Sequence, residues 1–441
     1  MRIGRLSLLR AYVLLRRHRP DSEIWRRRVA ILGGAIVIGL TALVFARAAD
    51  WAAATFHQAV RRCWWLPLVA TPIGFAFMVA LTRRIAPEAA GSGIPQVIAA
   101  ARDPVHGMER LVSAKTVVTK LLLTIGTLCF GASVGREGPT VQVAASLMGY
   151  AHRIMAIPLR ASVYIAGGAA GVAAAFNTPL AGVSFAIEEL AAAYEQRLTL
   201  LVMAAVLIAG MVSLGLAGDY VYFGVMRQTL SVSEALFAAP VIGAVGGIAG
   251  ALFSRALLGA GRTNLAPMRW LRAHPTLLAA LCGLIVAVLG VATGLTWGTG
   301  YDTARAIVTG SAVPPWYGLA KFGATLATSV SGLPGGIFAP SLSVGAGIGD
   351  MLRGVFPRYP GGAIILLGMV AYFTGVVRAP LTAVIIISET TASRGLMMPL
   401  LAAALVADFA AQLVSRERLY HGLSQRFASP SVAGTTHGRA G

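Results

Sequence analysis

The sequence predicts an all-α polytopic membrane protein, built as two structurally repeated, inverted halves of tilted and broken helices, on three observations. Hydrophobic residues make up 56% of the 441 residues and charged residues only 12%, with a mean hydropathy of +0.73. Long apolar stretches recur along the chain, and a segment in its first half returns in its second at a fixed distance. A soluble domain of this make-up would precipitate for want of polar surface.

The apolar stretches Val29 to Ala46, Leu66 to Leu81, Leu200 to Leu216, Leu277 to Leu289 and Leu396 to Leu413 are near or at the roughly 17 to 25 residues that span a hydrocarbon core. Others fall short, and the 51 glycines and 21 prolines are scattered through the apolar regions. Such breaks are tolerated at membrane depth only where protein or a watery cavity satisfies the freed backbone groups.

The formal net charge is +20, but the basic residues form no groove with interleaved aromatics, so nucleic acid is not an expected partner. They sit at segment ends. Nine arginines lie between Arg2 and Arg28, ahead of the first apolar stretch, as expected of a cytoplasmic flank. Residues 1–28 read as a cytoplasmic, Arg-rich amphipathic segment too extended for a cleavable signal peptide. Arg416, Arg418 and Arg426 mark the other end. Both termini are therefore expected inside, with an even number of full crossings of the cell inner membrane. Residues 29–217 and 218–427 form the two repeats, the second with a C-terminal helix, and 428–441 a disordered tail.

Cys63, Cys129 and Cys282 lie far apart in or beside apolar runs, and neither they nor the dispersed histidines show metal-ligand or disulfide spacing. No metal or cofactor is expected.

The repeat is the most informative feature. KLLLTIGTLCFGASVGREGP begins at Lys120 and KFGATLATSVSGLPGGIFAP at Lys321, and 321 − 120 = 201. At that offset Thr124/Thr325, Thr127/Thr328, Gly131/Gly332, Gly135/Gly336 and Pro139/Pro340 coincide, and further on Pro179/Pro380, Leu180/Leu381 and Glu188/Glu389. Upstream, GSGIP from Gly91 resembles GTGYD from Gly298, at 298 − 91 = 207. Two halves of this kind point to transporter architecture, with broken helices meeting near the midplane. Offsets alone do not orient the halves; an odd number of crossings in each inverts them.

Three Gly-rich motifs look like anion cradles: Gly91-Ser92-Gly93-Ile94-Pro95, Gly135-Arg136-Glu137-Gly138-Pro139 and Gly335-Gly336-Ile337-Phe338-Ala339-Pro340. Each sets glycines beside a proline suited to a first helical turn and precedes an apolar run. A helix starting inside the membrane offers unpaired N–H donors and a partial positive charge to an anion. The replacement matters, because stripping a small anion of water costs on the order of tens of kcal/mol.

These motifs, in this order, together with FNTPLAGVSFAIEE and RAPLTAV, resemble the CLC family of chloride channels and proton-coupled chloride transporters, over roughly residues 30 to 427. The resemblance implies chloride transport by a homodimer in which each subunit has its own anion path. Family members in many eukaryotes add nucleotide-sensing domains after the membrane part; the short stretch after Tyr420 leads us to expect none here.

By resemblance, Ser92 and Tyr420 offer hydroxyls, and Ile337 and Phe338 backbone N–H groups, to a central chloride, with Arg136 and Gly138 in the same cradle. Glu137 becomes a gate whose carboxylate mimics the anion and leaves on protonation; an ionisable residue at such depth is a functional candidate in its own right. Glu189 matches the inner glutamate that passes protons in the proton-coupled branch, and Glu188 reads as structural. Lys120 and Lys321 are expected to pair with buried carboxylates and to draw anions at long range. Proton-coupled exchange is the expected activity and a passive voltage- or pH-gated channel the alternative. Serine at position 92 favours chloride over the fluoride branch, typically Asn there, and the nitrate branch, typically Pro. An intramembrane serine protease, the rival from the enzyme class, would need a histidine base beside Ser92; His106 and His152 are nearest and sit in no suitable motif.

Overall fold

The computed structural model describes residues 22–190, 196–218 and 222–427; among them the secondary structure is helical, with two isolated β-bridges and no strand. The first half runs α1 (Ser22–Arg62), α2 (Leu66–Ile85), α3 (Ile94–Arg102), α4 (Pro104–Arg110), α5 (Ala114–Cys129), α6 (Glu137–Ile154), α7 (Ala161–Phe176), α8 (Pro179–Phe185), a π-helical extension (Ala186–Leu190) and α9 (Gln196–Ala217). The second runs α10 (Val232–Arg262), α11 (Ala266–Ala273), α12 (Pro275–Thr293), α13 (Tyr301–Val308), α14 (Tyr317–Ser331), α15 (Phe338–Arg353), α16 (Gly361–Val377), α17 (Pro380–Thr391) and α18 (Met397–Val414), and α19 (Leu419–Ser424) closes the chain.

The sequence repeat is a structural repeat. Helices α6 and α15, and α8 and α17, each begin 201 residues apart, as in 338 − 137. Helices α7 and α16 both stop on a left-handed residue, Asn177 (φ 57°) and Arg378 (φ 65°), again 378 − 177 = 201. The proline two residues on, Pro179 or Pro380, cannot continue the helix and starts the next one.

The relative direction of the halves follows from two carboxylates. Glu188, in the π-helical extension of α8, accepts from the backbone N–H of Leu381 (3.0 Å) and Thr382 (2.7 Å) at the start of α17. Glu389, near the end of α17, accepts from the N–H of Ala181 (3.2 Å) at the start of α8. Each helix end thus caps the other's beginning, which only antiparallel helices can do. Since α8 and α17 are the same element of each repeat, the halves are inverted. An acidic group at a helix N-terminus meets orphan donors and the positive end of the dipole.

Among the described residues five helices are long and apolar enough to cross a membrane, Glu23–Arg62, Leu66–Ile85, Val232–Arg262, Pro275–Thr293 and Met397–Val414, and α4 with α5, bent by 53°, would make a sixth. Four of the five coincide with stretches picked out in the sequence, and Leu200 to Leu216 lies on α9. The 31-residue α10 was missed, because its glycines and Pro240 look like breaks. It stays continuous, and its glycines are where neighbours press in. A Cβ on Gly246 would lie 2.6 Å from that of Ala371 in α16, and one on Gly247 2.4 Å from the Ala407 carbonyl oxygen in α18. Small residues let membrane helices approach in this way.

Helix α16 is buried at every position from Gly362 to Val377 and α7 at every position from Val163 to Phe176. Apolar all round, they are core helices sheathed by protein; α10 and α12 turn Leu252, Leu281, Leu284 and Ile285 outward.

The amphipathic segment expected over 1–28 is, in its described part, the first turns of α1, where Arg26 donates to the carbonyls of Met155 and Ala156. Residues 1–21 and the tail 428–441 lie outside the described residues.

Candidate functional site

The three Gly-rich motifs meet. Gly135 and Gly336, repeat mates, exchange both backbone hydrogen bonds at 2.7 Å. Gly91 donates to the Leu333 carbonyl and Gly335 donates to that of Gly91, both at 3.1 Å. Only glycine permits the approach: a Cβ on Gly138 would stand 2.4 Å from Ser92 Oγ, and one on Gly93 (φ +106°) 2.7 Å from the Gly138 carbonyl oxygen. The motifs open α3, α6 and α15, so three helix N-termini bring orphan donors and positive dipole ends to one buried place.

The buried lysines brace this arrangement, by a different contact from the one expected. Lys120 Nζ donates to the carbonyls of Ala89 (2.8 Å) and Gly91 (2.5 Å), and Lys321 Nζ to those of Thr296 and Gly298, both at 2.9 Å. The four acceptors correspond pairwise at 296 − 89 = 298 − 91 = 207. Their partners are backbone carbonyls where carboxylates were expected. The reason is steric and electrostatic: the loops ahead of α3 and α13 expose carbonyls that no helix satisfies, and a lysine from the adjacent helix reaches two at once.

Glu137 begins α6 and is fully buried. Its Oε2 accepts from the Ala339 N–H (3.4 Å) in the first turn of α15, and its Oε1 from the Tyr301 hydroxyl (2.7 Å) at the start of α13. A carboxylate therefore sits at a helix N-terminus of the opposite half, where an external anion would be attracted. The guanidinium of Arg136 is taken up by Asp50 (2.6 Å), the Ala46 carbonyl (2.8 Å) and the Tyr222 hydroxyl (3.2 Å), and lies over the Tyr301 ring at 5.9 Å.

Ser92, Ile337 and Tyr420 line a cavity of about 560 Å³ whose walls also include Arg83, Arg272 and Arg426. The hydroxyls of Ser92 and Tyr420, both on this cavity, are buried and have no hydrogen-bond partner among the described residues. Two buried hydroxyls without protein partners suit a ligand that accepts hydrogen bonds. Ile337 caps α15 and Phe338 begins it, so their N–H groups are among those the helix leaves unpaired. The Phe338 ring packs 5.9 Å from that of Tyr420 and 5.0 Å from that of Phe373, which fixes the tyrosine.

Of the acidic pair, Glu188 is committed to capping α17, with a further hydrogen bond from the Thr382 hydroxyl (2.7 Å). Glu189 is fully buried; its Oε1 lies 3.2 Å from His421 Nδ1 and its Oε2 has no partner. The structure thus gathers Glu137, Gly138, Ser92, Ile337, Phe338 and Tyr420 in one region, and Glu189 is tied to it through His421, the neighbour of Tyr420. Tyr301 and His421 were missed. The signal for Tyr301 was its place in GTGYD, where it matches Ile94 of GSGIP; for His421 it was adjacency to Tyr420.

Comparison with known proteins places this geometry. The family model described as "Voltage gated chloride channel" matches residues 74–412. The chain is 31% identical to the "H(+)/Cl(-) exchange transporter ClcA" of Yersinia pseudotuberculosis (serotype IB, strain PB1/+) and to that of Yersinia pestis, over 90% of this chain and 86% of each relative. Among solved structures, a slow cyanobacterial Cl−/H+ antiporter superposes with a TM-score of 0.77 at 23% identity, covering 93% of this chain and 99% of that one. A CLC-type fluoride/proton antiporter superposes with a TM-score of 0.75 at 21% identity, covering 90% and 98%. With its repeats, cradle motifs and fold in agreement, the chain belongs to the CLC family of chloride channels and transporters.

Proposed function

We propose that this protein exchanges chloride for protons across the cell inner membrane, as a multi-pass homodimer with both termini in the cytoplasm. The observation that carries the proposal is the position of Glu137: its carboxylate occupies, at the start of α15, a place built for an anion. A carboxylate there competes with chloride while ionised and leaves once protonated, which links anion passage to proton passage. Ser92, Tyr420 and the N–H groups of Ile337 and Phe338 hold the central chloride, with Gly138 giving the backbone clearance. Hydroxyl and amide donors bind a halide without the deep trap of a buried ammonium. Arg136 acts from behind, holding the start of α6 against α1. Glu189 carries protons between the gate and the inner face, the side of α19. The names of the Yersinia relatives support this reading. No cofactor enters the scheme.

The test is flux from liposomes with chloride and proton electrodes read together. An imposed chloride gradient is expected to drive protons uphill. Chloride movement without it makes the protein a passive channel.

A further inference from the structure

We propose that His421 loads the proton path, carrying protons between the inner water and Glu189; the inference rests on the exchanger reading above. That reading needs Glu189 to trade protons with the inner solution, yet its side chain is wholly enclosed. His421 reaches from Glu189 to the surface of the subunit. Its Nδ1 lies 3.2 Å from Glu189 Oε1 while 32% of its side chain is exposed. Histidine is the side chain whose ordinary charge change falls between about pH 5 and 8.

The other charged and titratable groups facing this pair have other duties. Glu188 caps α17, and Arg418 Nη1 donates to the Glu188 carbonyl at 3.1 Å. Tyr420 lines the cavity with Ser92, its hydroxyl unpartnered. The short α19 separates two routes. Tyr420 and Leu423, three residues apart and so on one helical face, line the 560 Å³ cavity. His421, turned by about 100° from Tyr420, meets Glu189 instead. Anions and protons can then reach the centre along different faces of one helix.

In the inward-to-outward direction the imidazolium gives its Nδ1 proton to Glu189 Oε1, leaving a neutral ring and a protonated carboxyl. Glu189 releases that proton toward Glu137, and the ring takes another from the inner water after turning about its Cβ–Cγ bond. Proton flow in the other direction reverses these steps.

The experiment uses the full chain in liposomes under a chloride gradient, with both ions recorded and the pH on the α19 side varied. His421→Gln can still donate to Glu189 but cannot carry a proton, so the ratio of proton to chloride flux is expected to fall about tenfold or more, and the dependence of proton flux on inner pH to flatten. His421→Ala should show the same loss and regain proton flux when imidazole is added on that side. A His421→Gln protein with the parent's ratio and pH dependence overturns the relay. So does a loss in His421→Ala that imidazole leaves unrepaired, since that marks a packing role. A parent that moves no protons at all is a separate outcome and removes the exchanger reading itself.

Discussion

The two halves share a scaffold and divide the chemistry. At equivalent positions both have the buried lysine, the paired glycines and the capping glutamate: Lys120 and Lys321, Gly135 and Gly336, Glu188 and Glu389. Where the first half carries Arg136, Glu137 and Glu189, the second has Ile337, Phe338 and Thr390. Residues that build the cradle are duplicated, whereas the two glutamates proposed to carry protons are not. An anion between two inverted halves can be held symmetrically, but a proton has to be taken up by a particular group, and a second gate across the cradle would compete with the first.

The largest expected effect removes this asymmetry. Glu137→Gln gives the first half a neutral group at the position of Phe338; chloride flux should persist or rise and proton flux fall to background. Uphill proton movement by this variant at the parent rate would remove the gate assignment.

The shared scaffold is tested next. Lys120→Met and Lys321→Met each take the ammonium donor away from two buried carbonyls, of which Gly91 keeps the Gly335 N–H, and each is expected to cost about 2–4 kcal/mol, read as drops of similar size in thermal midpoint of the purified protein. A large drop in one and none in the other would show that the halves are braced differently.

Tyr301→Phe sharpens the difference between halves, since it removes a donor that the second half lends to the gate of the first. A hydrogen bond to a charged group is worth about 1.5–3 kcal/mol, and it favours the ionised, closed form. Without it, protons open the gate more readily. The pH of half-maximal chloride flux should therefore move upward, and the shift should vanish in the Glu137→Gln background. A shift that persists there would place the tyrosine's action elsewhere.

The smallest effects belong to the reciprocal caps. Glu188→Gln and Glu389→Gln keep an acceptor oxygen and lose the charge at a helix start, so each should cost about 0.3–1 kcal/mol in denaturation, with both ion fluxes retained in part. Loss of proton flux in Glu188→Gln alone would move the proton duty from Glu189 to its neighbour.

The sequence made the membrane class, the repeat and the cradle legible because these depend on residue type at fixed spacing. Glycine next to proline at three helix starts has few meanings, and a matched lysine pair in a chain with three lysines is conspicuous. What stayed hidden depends on which distant surfaces meet. The glycines of α10 look like breaks until Ala371 and Ala407 are seen against them. The lysines suggest carboxylates until the loop carbonyls are in view, and Tyr301 looks like the aromatic start of an ordinary helix until its hydroxyl reaches Glu137, 301 − 137 = 164 residues away. Glu188 and Glu189, adjacent and chemically alike, are told apart in the sequence only by resemblance and by the repeat partner Glu389; the cap on α17 and the contact with His421 come with the fold.

The exchanged caps between α8 and α17 suggest how such a molecule could have started. A single ancestral half, associating with an upside-down copy of itself, would have made both caps with one glutamate used twice. Once the copies were joined in one chain, each glutamate served the other copy's helix, so neither could be lost without injuring both.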